Sequence, residues 1–344
     1  MNLREMANEL GLSPTTVSVC LHGAPAKLGL CAETVARVRS FAERMGYVPN
    51  RLARRIFHPE SQGVIGILVR RDSALERNEP VVQEAMARLN ASRREYTVVS
   101  YEEERFVENV QMLHGMAVRH VICLGFLHNA PFGRLESLKG LALYVPDSYD
   151  EPKGMPECVR FCGFCDRTAF YRDLRERLMR AGLDPLVCNL SIAQRLGDLS
   201  LCPGEEFGET SGTENCFELG RSMAARVERM WREGRCRTII LGNDSVVLGL
   251  MGALQDRGLR IPEDLALIGF NDVPYCAYVR PALSTVRLPV LQHVHAVLDH
   301  LLDGAPLPRV VRSMPTLVLR GTTPKAFQNE NRLNRICKKE KKNA

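Results

Sequence analysis

The sequence predicts an α/β protein in two parts: three short N-terminal helices, then a two-lobed body built on parallel sheets. Three observations predict it. Apolar residues in the first 46 positions repeat at helical spacing between capping signals. From residue 61 onward, apolar runs of strand length alternate with helical stretches, as in a parallel sheet covered on both faces. At 344 residues the chain also exceeds the size at which a single hydrophobic core stops growing.

The first helix opens on Asn2, an N-cap with Glu5 as capping-box partner, and carries Leu3, Met6, Ala7 and Leu10 on one face before Gly11 ends it. Ser13 then caps a second helix that has Pro14 at its first position, where the missing N–H costs nothing. Val17, Cys20 and Leu21 form its buried stripe. The third helix is expected over 32–45, with Val35, Val38, Phe41 and Met45 inward and Gly46 as C-terminal cap. Two short helices joined by a three-residue turn, closed by a third, make a helix-turn-helix unit, whose second helix enters the major groove of DNA. Thr15, Thr16, Ser18, Val19 and His22 face outward there, as groups that meet base edges, thymine methyls and phosphates. A three-helix bundle without a ligand has the same spacing.

Residues 47–57, YVPNRLARRIF, discriminate between the two. Arg51, Arg54 and Arg55 lie in a segment without acid, and Leu52 and Ile56 share a face if it is helical. A helix in the minor groove uses both features, with arginines on phosphates and an aliphatic wedge that opens a base step.

LREMANELGLSPTTVSVCLHG followed by AETVARVRSFAERMGYVPNRLARR resembles the headpiece and hinge of the LacI/GalR family of bacterial regulators. The resemblance implies a homodimer on a pseudo-palindromic double-stranded operator. By position it assigns major-groove contacts to Thr15, Thr16, Ser18 and Val19, phosphate contacts to Tyr47 and Asn50, and the wedge to Ile56, where the family usually has Leu. The chain also departs from the pattern. Val19 stands where an arginine usually reads guanine, His22 replaces an Asn, and the loop GAPAKLGL is longer than is typical.

In the body, GVIGILV at 63–69 is a strand buried on both faces, followed by a helix expected at 80–92. TVVSY, a helix near 105–116, HVICLGF, LALYVP, VRFCGF, a helix at 168–181, TIILGND, a helix at 245–257 and LALIGF continue the alternation. The stretch from Arg237 to Pro289 resembles the effector half of the same family, in which an N-D pair and a G-F-D-D motif end two strands; here they are Asn243–Asp244 and Asn271–Asp272, with Asn271 where the family usually has Asp. The implied body is periplasmic-binding-protein-like, with a hinged cleft for a small-molecule effector, a carbohydrate being one class. Asn243 and Asn271 would face that ligand, Asp244 and Asp272 would cap helices, and Arg167 and Arg172 are candidates for the family's pocket arginine. Val81 and Val82 stand where the family often has stacking aromatics.

The implied domains are a headpiece at 1–46, a hinge at 47–60, a body at 61–325 and a basic tail at 326–344. Within the body, the lobes comprise 61–148 with 276–308, and 149–275 with 309–325. The net charge of +6 is weak evidence for DNA binding, because residues 325–344 hold seven Lys or Arg against two Glu. Twelve scattered cysteines read as reduced thiols, and Cys158, Cys162 and Cys165 read as apolar strand packing rather than a zinc site. Trp231 reads as core or interface packing. No window offers the roughly 20 apolar residues of a membrane helix, and MNLREMANEL is charged where a signal peptide is apolar, so a cytoplasmic location is expected. No catalytic motif, cofactor or metal site is expected. The function implied is a DNA-binding regulator, a repressor modulated by an effector; the alternatives are a body that is only a dimerisation scaffold, or a solute-binding protein.

Overall fold

The computed structural model describes residues 2–22, 29–47, 63–71, 75–125, 132–148, 154–188 and 216–329. The chain forms two compact units, Met1–Ser61 and Gln62–Ala344.

The first unit holds α1 (Leu3–Leu10), α2 (Pro14–His22) and α3 (Ala32–Arg44). The capping box is complete: the Glu5 N–H donates to the Asn2 side chain at 2.9 Å, and the Asn2 N–H donates to the Glu5 carboxylate at 2.9 Å. Gly11 turns left-handed at φ 63°, and Leu12 N–H returns to the Ala7 carbonyl at 2.9 Å, closing α1. Ser13 Oγ accepts from Thr16 N–H at 3.0 Å and starts α2. Met6, Ala7, Val17, Cys20, Val38 and Ala42 are the buried core of this unit. Met45, expected inward, is 49% exposed. Helix α3 stops at Arg44, and Tyr47 N–H reaches back to Ala42 O while Gly46 takes φ 60°, which carries Met45 out of the helical stripe and leaves Ala42 in its place.

The second unit begins with β1 (Ile65–Arg70), α4 (Leu75–Ala91), β2 (Tyr96–Tyr101), α5 (Phe106–Gly115), β3 (His120–Leu124), β4 (Ala142–Ser148) and β5 (Val159–Cys165). It continues with α6 (Arg167–Arg180), β6 (Pro185–Cys188), α7 (Cys216–Arg232), β7 (Thr238–Leu241), α8 (Asp244–Asp256) and β8 (Ala266–Phe270). The remaining elements are β9 (Ser284–Arg287), α9 (Val290–Asp303), β10 (Val310–Ser313) and β11 (Thr316–Val318). Two sheets result, ordered β10-β5-β4-β3-β1-β2 and β11-β9-β8-β7-β6. All pairings are parallel except β11 with β9.

The apolar run at 63–69 explains the first sheet. Ile65, Ile67 and Val69 join one core with Val81, Ala85 and Leu89 of α4 and Val294, Val297 and Leu298 of α9. Val64 and Leu68 point the other way, into a core with Phe106, Val110 and Leu113 of α5. Helix α4 starts five residues before Pro80, so the proline read as a helix start lies inside the helix. Cys158, Cys162 and Cys165 are buried and unbridged, and burial pushes the Cys165 thiol up to about 12. Trp231 packs half-buried against the core of the second sheet.

The chain passes between the sheets three times: between β5 and β6, between β9 and α9, and between β10 and β11. The lobe boundaries expected at 149, 276 and 309 are displaced accordingly. Strand β5 stays in the first sheet, β9 belongs to the second, and β10 returns to the first beside β5. Strand pairing decides membership, and no local apolar pattern reports which sheet a strand joins.

Candidate nucleic-acid interface and ligand cleft

On α2, positions 15, 18, 19 and 22 follow one another at i, i+3, i+4 and i+7, and so share a face. Thr15 is exposed, and Ser18 and Val19 are half-buried. The Thr16 hydroxyl lies 2.8 Å from Ser13 Oγ, which ties it to the cap of its own helix. The Tyr47 ring packs half-buried on the headpiece core. The His22 side chain and Asn50, Arg51, Arg54 and Ile56 lie outside the described residues. Two arginines unmarked by the sequence reading brace the face: Arg37 donates to Leu10 O at 2.7 Å and Arg39 to Cys20 O at 3.2 Å, satisfying carbonyls at the ends of α1 and α2.

In the body, the C-terminal ends of the strands carry the polar groups. Asn243 Oδ1 accepts from Ser245 N–H at 2.8 Å and Val246 N–H at 3.4 Å, so it caps α8, and its amide approaches Cys216 Sγ at 3.9 Å. Asp244, expected to cap, is instead fully buried. It accepts from the Thr285 hydroxyl at 2.6 Å and the Val273 N–H at 3.0 Å, joining α8 to β9 and to the turn after β8. Desolvation raises its pKa against these hydrogen bonds. Asp272, also expected to cap, takes Arg287 at 2.6 Å and Arg320 at 2.7 Å. Asn271 holds φ 113°, a left-handed backbone rare outside glycine, and its Oδ1 is buried without a hydrogen-bond partner among the described residues.

The two candidate arginines separate. Arg172 lies on the exposed side of α6. Arg167 is 4% exposed, donates to Asp147 of β4 at 2.7 Å, and has its guanidinium carbon 5.9 Å from the Phe270 ring centroid. It therefore joins the first lobe to the second, and it is absent from the described walls of the cleft. Beside it, His293 Nδ1 donates to Pro146 O at 2.6 Å and Nε2 lies 2.8 Å from Ser313 Oγ, linking β4, α9 and the end of β10.

A cavity of about 360 Å³ opens between the lobes, lined among the described residues by Glu79, Pro80 and Gln83 of α4, Phe217 of α7, and Pro274 and Tyr275 of the turn after β8. Its volume suits a small organic ligand. Phe217 and Tyr275 form an aromatic pair with centroids 6.5 Å apart at 37°. Val81 and Val82 pack in the core of the first sheet, and the aromatic pair of the cavity comes from the opposite lobe. Two close approaches hold Phe217 in place: a Cβ on Gly249 would collide with the Phe217 carbonyl, and one on Gly220 with Val246 O, so only glycines let α7 and α8 pack this closely. Sequence reading missed Glu79, Gln83, Phe217 and Tyr275; the one available signal was an aromatic three residues after the Asn271–Asp272 pair.

Residues 203–323 match the periplasmic binding protein-like domain. The chain is 26% identical to the HTH-type transcriptional regulator MalR of Streptomyces coelicolor, over 94% of this chain and 97% of that protein. It is 38% identical to the HTH-type transcriptional regulator GalR of Escherichia coli, over 28% of this chain and 29% of that one. The crystal structure of the Lac repressor bound to ONPG in the repressed state is similar with a TM-score of 0.68 at 20% identity, covering 94% of this chain and 99% of that one. The relatives are transcriptional regulators. No helix among the described residues is long and apolar enough to cross a membrane.

Proposed function

The chain belongs to the LacI/GalR family of helix-turn-helix transcriptional regulators, and from that premise we propose that it is a cytoplasmic repressor, homodimeric on a pseudo-palindromic operator and governed by a small molecule held in the cleft. One observation carries this reading. The same chain joins a capped helix-turn-helix headpiece to a body whose two sheets are connected three times around a cavity walled by both lobes. Three connecting segments suit hinge motion, and a ligand touching α4 on one side and Phe217 and Tyr275 on the other has different contacts in the open and closed forms.

Thr15, Ser18, Val19 and His22 read the major groove in this proposal, Tyr47, Asn50, Arg51 and Arg54 meet phosphates, and Ile56 is the minor-groove wedge. Asn271 does not line the described cavity, and its ligand role in this proposal rests on its position and its unpartnered oxygen among the described residues; Phe217 and Tyr275 supply the apolar wall. Selection of bound fragments from random DNA is expected to return a pseudo-palindrome with a deformable central step. In titration on that site, Ile56→Asp is expected to abolish specific binding while the dimer persists. Operator affinity unchanged in Ile56→Asp would remove the wedge from the proposal.

A further inference from the structure

Among the described residues, the walls of the cleft are rich in acceptors and π faces and poor in donors. Pro80 and Pro274 have no N–H. Gln83 spends one amide hydrogen on Glu79 Oε1 at 3.0 Å, and the Tyr275 hydroxyl is engaged with Ser245 Oγ at 2.7 Å. The second Glu79 carboxylate oxygen has no hydrogen bond among the described residues, and Phe217 is 40% exposed. No lysine or arginine lines the cavity among the described residues. Arg70, Arg167 and Arg287 each face a carboxylate, Glu103 at 2.7 Å, Asp147 at 2.7 Å and Asp272 at 2.6 Å.

A neutral polyol needs donors as well as acceptors, since each hydroxyl both gives and receives. A quaternary or protonated amine needs only acceptors and the negative face of an aromatic ring. The N-terminus of α7 contributes about half a unit of positive charge. Full carboxylates oppose it, Glu79 in the wall and Glu218 in the first turn of α7, the latter facing Arg221 at 3.8 Å.

Resting on the reading that the cleft is the effector site, we propose that its ligand is an organic cation whose amine sits between the Glu79 carboxylate and the Phe217–Tyr275 pair. The selectivity comes from charge and ring faces together. An amine-bearing sugar satisfies it, and an unsubstituted sugar does not.

The test compares choline with 3,3-dimethyl-1-butanol, which has the same shape without the charge, and with glucose, by calorimetry on the full chain. Choline is expected to bind the wild-type protein at least about tenfold more tightly than its neutral counterpart. Glu79→Gln is expected to cut that preference severalfold, and Phe217→Ala to weaken choline, with melting temperatures of both variants showing that they are folded. Parity in the wild-type protein, a choline preference undiminished by Glu79→Gln, or no binding of choline overturns the cation. Glucose binding that Phe217→Ala abolishes, without choline binding, overturns the cation and leaves the cleft as effector site. Silence of all three probes, with operator affinity unchanged by any of them, counts against both.

Discussion

In the headpiece, the side-chain caps that start the helices join residues three apart, Asn2 with Glu5 and Ser13 with Thr16, and the longer contacts, Arg37 to Leu10 O and Arg39 to Cys20 O, are exposed or only partly buried. In the body the buried polar contacts span long distances along the chain: Arg167 meets Asp147 across 20 positions, Thr285 meets Asp244 across 41, and His293 meets Pro146 across 147. The difference is energetic as well as topological. A surface cap contributes about 1 kcal/mol and its loss is local, whereas a buried long-range pair holds separate elements together and strands a desolvated group when half of it is removed. The headpiece is thus built to be read and re-tuned residue by residue. The body gathers its strongest polar contacts where the chain crosses between lobes.

The largest effect expected from this contrast is at Arg167. Arg167→Ala removes the guanidinium facing Asp147, a carboxylate only 1% exposed, and is expected to destabilise the body by about 3–5 kcal/mol in denaturant unfolding. Arg167→Met combined with Asp147→Leu removes both charges while keeping volume, and is expected to recover most of the loss. If the single variant costs less than about 1 kcal/mol, the pair acts as a solvated surface bridge and the contrast with the headpiece fails.

Ser13→Ala is the matching change in the headpiece. It removes the acceptor of the Thr16 N–H and a partner of the Thr16 hydroxyl, and is expected to cost about 1 kcal/mol, confined to the first unit. Protease cleavage within the first 61 residues is expected to speed up while the melting temperature of the body holds. A shift in body melting of the size seen for Arg167→Ala would break the comparison.

What was legible in the sequence follows the same division. The caps of α1 and α2, the buried Met6, Val17, Cys20 and Val38, and the strand at 63–69 were all readable, because their signals lie within one turn or one strand. The cleft was not. Phe217 reaches it only because Gly220 and Gly249 let α7 and α8 approach, and Glu79 only because α4 extends ahead of Pro80. Arg167 was a sound choice of residue in the wrong role: its charge is spent on Asp147, a partner that sheet order selects. Asn243 and Asp244 also hold other places than the expected ones, for a similar reason. The residue before the helix caps it, while its neighbour points into a pocket made by β9 and the turn at 273–276.

The smallest expected effect concerns pH. Pro146 O can only accept, so His293 Nδ1 carries the hydrogen, and in the neutral ring Nε2 accepts from the Ser313 hydroxyl. Burial pushes the His293 pKa below its ordinary 6.5, opposed by the Pro146 carbonyl and by the Asp147 carboxylate. The folded protein therefore holds the ring neutral, and the unfolded chain takes up the proton first as pH falls. The contribution of His293 to stability is full above 6.5 and is lost as pH drops through that value toward the folded pKa. His293→Gln keeps a donor and an acceptor at this junction of β4, α9 and β10 without a titrating group. Body melting temperature is expected to fall less steeply for His293→Gln than for the wild-type protein between about pH 7 and pH 5, and cleavage within the headpiece is expected to follow one pH profile in both. Parallel melting profiles for the two proteins would mean that His293 titrates alike folded and unfolded, and that the junction of β4, α9 and β10 is no drier than the headpiece surface.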